Sequence, residues 1–151
     1  MKVLFIDDDP DLLRQAEIFL EREDKRLDVD TVSSAEEGLE MMDRTDYDVV
    51  VSDYKMSEMD GFEFLETVRE DRNSDIPFIV FTGRGSEEVA MEALNLGADR
   101  YVMKGGDVRL QFEDLADAIA HAIFKEVSSP SESYGNISRK NESSNTLNGE
   151  Q

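Results

Sequence analysis

A chain of 151 residues, 39% of them hydrophobic, suits one ordinary domain with a real core. It holds no Cys, which excludes disulfides and thiolate metal sites and fits a reducing cytoplasm. Its net charge of −20 repels a phosphate backbone, so nucleic acid is not an expected partner, while cations, metal ions and proteins with basic patches are. The opening "MKVLFIDDD" has one Lys and a short apolar run ended by acids, so it does not read as a signal peptide. No apolar run is long enough to span a bilayer, and no membrane association is expected.

Val3 to Ile6 form the first predicted strand. Asp9 reads as an N-cap and Pro10 as a first helical residue. Leu12, Leu13, Ala16, Phe19 and Leu20 then recur at helical spacing. Val29 to Val32 are a weak second strand. Ser34 with Glu37 reads as a capping box at the start of a second helix. Val49 to Ser52 form a third strand, and Phe62, Phe64, Leu65 and Val68 sketch a third helix. Ile76 to Phe81 form a fourth strand. Ser86 caps a fourth helix that runs to Leu96, and Gly97 stops it. Tyr101 to Met103 form a short fifth strand. Leu115, Ala118, Ile119, Ala122 and Ile123 give the fifth helix a narrow apolar stripe. His121 lies beside that stripe and reads as a surface or helix-end residue. From residue 127 the chain turns rich in Ser and Asn and poor in large apolar residues. Residues 127–151 are therefore expected to be a disordered tail, and the Asn-x-Ser triplets at Asn136 and Asn141 are read as chance.

Five alternations of strand and helix predict an α/β domain over residues 1–126, with a parallel sheet covered on both faces. In such a sheet ligands gather outside the C-terminal strand ends. The first strand ends in Asp7, Asp8 and Asp9, the third in Asp53, the fourth in Thr82 and the fifth in Lys104. Taken singly, Asp9 is explained by capping, and Thr82 and Lys104 are weak signals. Four such ends in succession are a specific one. Carboxylates crowded on one rim repel one another and call for a cation. Carboxylates, a backbone carbonyl and water suit Mg²⁺. With Mg²⁺ and Lys104 in place, a phosphoryl group could approach an Asp nucleophile, its oxygens stabilised by Mg²⁺, Lys104 and Thr82.

These motifs resemble the receiver domain of two-component response regulators over nearly all of residues 1–125. "VLFIDDDP" is similar to the family's first strand with its acidic pair, "VVVSDYKMSEMDG" to its phosphorylation motif, "IVFTG" to its switch-hydroxyl segment and "ADRYVMK" to the segment with the switch aromatic and the Lys. The resemblance implies a doubly wound, flavodoxin-like five-stranded sheet in the order 2-1-3-4-5. It implies Asp53 as the acceptor of a phosphoryl group from a sensor histidine kinase. It implies Mg²⁺ held by Asp8, Asp53 and the Lys55 carbonyl, with Asp7 acting through water. Thr82 and Tyr101 would be switch residues that remodel the face of the fourth helix, fifth strand and fifth helix for a protein target. The chain would be a stand-alone regulator that catalyses its own phosphorylation and dephosphorylation without being a turnover enzyme; a weak homodimer is left open.

Two departures stand out. Ser57 and Gly105 occupy places where the family usually has Pro, and the stretch "KGGDVRLQ" predicts a different approach to the last helix. Lys55 and Arg84 flank the site at positions that tune phosphoryl lifetime in the family. The main alternative is a phosphatase similar to the haloacid dehalogenase superfamily, with Asp7 as nucleophile, Asp9 as its partner and Lys104 in a later motif. Its usual Gly-Thr after the Asp pair is missing. A regulator with a DNA-binding output domain and a phosphorylation-independent binding module are further alternatives.

Overall fold

Strands that are apolar on both faces need cover on both faces, and the helices between them provide it. The structure is a computed structural model that describes residues 1–83 and 85–124. The expected tail at 127–151 and Arg84 lie outside the described residues. The elements run β1 (Lys2–Ile6), α1 (Pro10–Glu23), β2 (Asp28–Val32), α2 (Ala35–Arg44), β3 (Val49–Ser52) and α3 (Gly61–Glu66). They continue as β4 (Phe78–Thr82), α4 (Glu87–Asn95), β5 (Arg100–Met103) and α5 (Val108–Ile123). The strands form one sheet in the order β2-β1-β3-β4-β5, with every pairing parallel. The expected doubly wound order is therefore observed.

The period of two along each strand sorts its side chains between two cores. Val3, Phe5, Val49, Val51, Ile79 and Phe81 face α1 and α5, where Leu12, Leu20, Phe112, Leu115 and Ile119 meet them. Leu4, Ile6, Val50, Phe78 and Val80 face the other way, toward Phe64, Leu65, Val68 and Ala93. Most of these side chains are fully buried, so the sheet is a rigid platform for whatever stands at its ends.

Local chemistry sets the boundaries. The Asp9 side chain accepts from the Asp11 amide, with Pro10 at the start of α1. Ser34 accepts from the Glu37 amide, but the expected capping box is not closed. The Glu37 carboxylate reaches past Ser34 and accepts from the amide and hydroxyl of Ser33 instead. A closed box occurs where it was not expected, at Asp60 and Glu63, at the start of α3. The fourth strand begins at Phe78 rather than Ile76. Pro77 has no amide to donate, and the Ile76 carbonyl is taken by Arg69. A π-helical turn, Thr67–Asp71, continues α3 and was not legible from periodicity. Gly97 takes a φ of +109 just beyond α4, as the expected helix stop requires. Between β5 and α5, Gly105 and Gly106 have φ values of 141 and 70 and make the approach to the last helix that the sequence set apart.

Candidate functional site

Parallel register decides which strand ends meet. Ile6 pairs with Ser52, so Asp7 and Asp53 emerge side by side from β1 and β3. The Asp53 amide donates to the Ile6 carbonyl at 3.0 Å and ties the two ends together. Thr82 pairs with Met103, which brings Lys104 to the same rim from β5, and the Lys104 amide donates to the Thr82 carbonyl at 3.0 Å.

The side chains converge further. Lys104 Nζ donates to Asp7 Oδ2 at 2.8 Å and lies 3.5 Å from Asp53 Oδ2. Its ammonium lies over the Phe81 ring, 5.6 Å from the centroid. Asp7 is 1% exposed, and its other oxygen accepts from the Asp9 amide at 2.9 Å. Asp53 is 9% exposed, and its Oδ1 accepts from the Tyr54 amide at 2.8 Å. Asp8 is exposed. Asp7, Asp8 and Asp53 each offer an oxygen, and these oxygens lie within 4.8 Å of one another. Burial pushes the Asp7 carboxyl above the usual carboxylate range; the Lys104 ammonium opposes the shift and the Asp53 charge adds to it.

The remaining predicted residues are spread around this cluster. Thr82 is fully buried at the end of β4. Tyr101 is half-buried in β5, with its phenol pushed up by burial and its hydroxyl 3.5 Å from the Met103 sulfur. Lys55 is exposed in the loop after β3, and its ammonium lies 5.2 Å from the centroid of the Tyr54 ring. His121 is exposed, with Nδ1 2.8 Å from the Asp117 carbonyl, and stands apart from the cluster.

Sequence reasoning missed two supports of the loop that carries Asp53. The Ser52 hydroxyl is buried and donates to the Asp53 carbonyl at 2.9 Å. Gly61 donates its amide to the Tyr54 carbonyl at 2.8 Å, and a Cβ there would overlap the Asp53 carbonyl oxygen. The Asp60–Glu63 spacing was the available signal for this loop end; the close approach of Gly61 had none.

Three hard oxygen donors facing one ammonium suit a small divalent cation, and the cluster meets that requirement for Mg²⁺. The fold agrees with comparison to known proteins. The model of the response regulator receiver domain matches residues 3–119. The chain belongs to this family. It is 35% identical over 106 residues to the heme response regulator HssR of Staphylococcus epidermidis, covering 70% of this chain and 46% of that protein. It is 34% identical over 127 residues to the two-component response regulator ORR21 of Oryza sativa subsp. indica, covering 83% of this chain and 17% of that one. The chain thus spans less than half the length of these relatives. A receiver domain structure from Clostridium thermocellum is 30% identical with a TM-score of 0.71, covering 83% of this chain and 96% of its own.

Receiver domains are generally signalling modules rather than enzymes, and they typically bind Mg²⁺ in an acidic pocket at this rim. The phosphatase alternative finds no support. The family is a different one, and Asp7, its required nucleophile, is buried with both oxygens engaged by Lys104 and the Asp9 amide. Among the described residues no helix is long and apolar enough to cross a membrane.

Proposed function

We propose that residues 1–126 act as a phosphorylation-dependent switch in the cytoplasm, with Asp53 as phosphoacceptor and a sensor histidine kinase as donor. The observation that carries this reading is the placement of the Asp53 carboxylate between an ammonium and two further carboxylates. An Asp53 oxygen forms the new O–P bond while the P–N bond to the donor histidine breaks. The Tyr54 amide and Lys104 hold that carboxylate in orientation. Mg²⁺ would be held by Asp8, Asp53 and the Lys55 carbonyl, with Asp7 behind them, and would supply positive charge against the negative charge of the incoming phosphoryl oxygens. Lys104 adds a second cation on the side facing β5. Thr82, at the adjoining strand end, offers a hydroxyl to the phosphoryl oxygens, and Tyr101 responds in turn. The surface of α4, β5 and α5 changes and a protein target reads it.

Intact mass after incubation with Mg²⁺ and acetyl phosphate tests the reading. A single Mg²⁺-dependent phosphoryl adduct is expected in wild type and in Asp7→Ala at reduced yield, and none in Asp53→Ala. An adduct that survives Asp53→Ala and is lost in Asp7→Ala would overturn it.

A further inference from the structure

Gly85 lies in the loop between β4 and α4, three residues beyond Thr82. Space demands glycine there. A Cβ on Gly85 would overlap the Tyr101 hydroxyl, and it would stand 3.0 Å from Tyr101 Cζ and 2.9 Å from the Met103 sulfur. Gly83 in the same loop differs: a Cβ there would meet Lys104 Cβ at an ordinary 3.7 Å. The tip of the Tyr101 side chain therefore occupies the volume that a side chain at position 85 would fill.

We propose that Gly85 is the seat of the Tyr101 side chain and that the missing Cβ at this position sets which rotamer of Tyr101 the unphosphorylated protein populates. The three nearest atoms in the way belong to the far ends of side chains rather than to backbone. Met103 is half-exposed and swings aside into solvent. The Tyr101 ring is part of the packed face beside α4, so it leaves by changing rotamer rather than by sliding. A methyl at 85 removes this position and shifts the population toward the other Tyr101 arrangement without any phosphoryl group. Gly85 is thus a positioning residue that acts through Tyr101. The inference rests on the reading of Tyr101 as a switch residue only for its consequence; the seat itself rests on geometry.

The test uses the full chain labelled with 3-fluorotyrosine, and the Tyr101 resonance is assigned by its loss in Tyr101→Phe. Fluorine spectra are taken with and without Mg²⁺ and acetyl phosphate. In Gly85→Ala the Tyr101 resonance is expected to leave its wild-type position before any donor is added and to move toward the phosphorylated wild-type position. A phosphorylation-rate cycle supplies the second readout. Gly85→Ala changes the rate in wild type and leaves it unchanged in a Tyr101→Ala background. A Tyr101 resonance that stays at its wild-type position in Gly85→Ala overturns the proposal. So does an equal rate change in the Tyr101→Ala background. If Gly85→Ala moves the resonance while the donor fails to move it in wild type, the seat is supported and the switch reading alone falls.

Discussion

Lys104 Nζ stands 2.8 Å from an oxygen of Asp7 and 3.5 Å from one of Asp53, although 97 positions separate it from Asp7 along the chain. One ammonium is shared between two carboxylates from adjacent strands, with the exposed Asp8 as a third acid nearby. One positive charge against three negative ones leaves a deficit that a single divalent cation balances. Lys104 is therefore a counterion between Asp7 and Asp53, and it would compete with a metal ion bound there.

Lys104→Met separates these two roles. Without the ammonium, Mg²⁺ is expected to bind several-fold more tightly, because no resident cation opposes it. Phosphorylation by acetyl phosphate is expected to slow by about 100-fold, the usual effect of losing one preorganised donor to a developing charge. Calorimetric Mg²⁺ titration and the rate of adduct formation read the two effects. Weaker Mg²⁺ binding in this variant would contradict the competition.

The raised Asp7 carboxyl gives the site a pH dependence whose sign is opposite to that of a paired surface acid. Folding without metal favours protonated Asp7. Its contribution to stability is full below the ordinary carboxylate range and is lost as pH rises through the raised folded value. Mg²⁺ favours the ionised form. Mg²⁺ stabilisation against thermal unfolding is therefore expected to be large at pH 7–8 and to shrink in mildly acidic buffer, with proton release on binding. Asp7→Asn should flatten this dependence. An unchanged acid profile in that variant would remove Asp7 as its source.

Gly61→Ala tests the loop behind Asp53. The added Cβ would overlap the Asp53 carbonyl oxygen and lie 3.0 Å from Tyr54 Cα, so backbone has to move. A cost of about 1–3 kcal/mol is expected in urea unfolding, as for overpacking elsewhere. Phosphorylation should slow more than Mg²⁺ binding weakens, because the displaced segment orients the Asp53 carboxylate. Full activity with unchanged stability would show that the loop yields freely.

Arg69 tests the end of the sheet opposite the site. From the π-helical turn its Nε and Nη2 donate to the Gly97 carbonyl at 3.0 and 2.8 Å, and its Nη1 donates to Ser74 and Ile76 carbonyls at 3.0 and 2.8 Å. Nη2 also lies 3.3 Å from Asp99, whose carboxylate accepts from the Phe78 amide. Arg69→Ala takes this donor from the Gly97, Ser74 and Ile76 carbonyls and should cost about 2–4 kcal/mol. Arg69→Lys should recover little, since an ammonium lacks the planar fork these acceptors fit. Both variants should keep Asp53 phosphorylation below their melting transitions. Recovery of wild-type stability by Lys would reduce the network to its charge.

By itself the sequence determined what depends on neighbours within a few positions. The unbroken apolar run of "VVVS", the helical stripe from Leu12 to Leu20, the Asp9–Pro10 start and the Gly97 stop are short-range choices of backbone and side chain, and the structure keeps them. Alternation of those elements was enough for a parallel sheet covered on both faces and for a rim of acids at its strand ends, because right-handed crossovers leave few other arrangements.

Tertiary structure decided what depends on distance through space. The Ile76 carbonyl joins Arg69 rather than the sheet, so β4 starts late. Glu37 prefers Ser33 to the box predicted for it, while Asp60 and Glu63 close one that no apolar period announced. The buried state of Asp7, its contact with Lys104, the space Gly61 leaves for Asp53 and the space Gly85 leaves for Tyr101 all come from the meeting of strands and loops far apart in the chain. A sequence pattern carries the identity of each side chain and the period of its element. The charge and volume that surround it are fixed only when register and packing bring distant segments into contact.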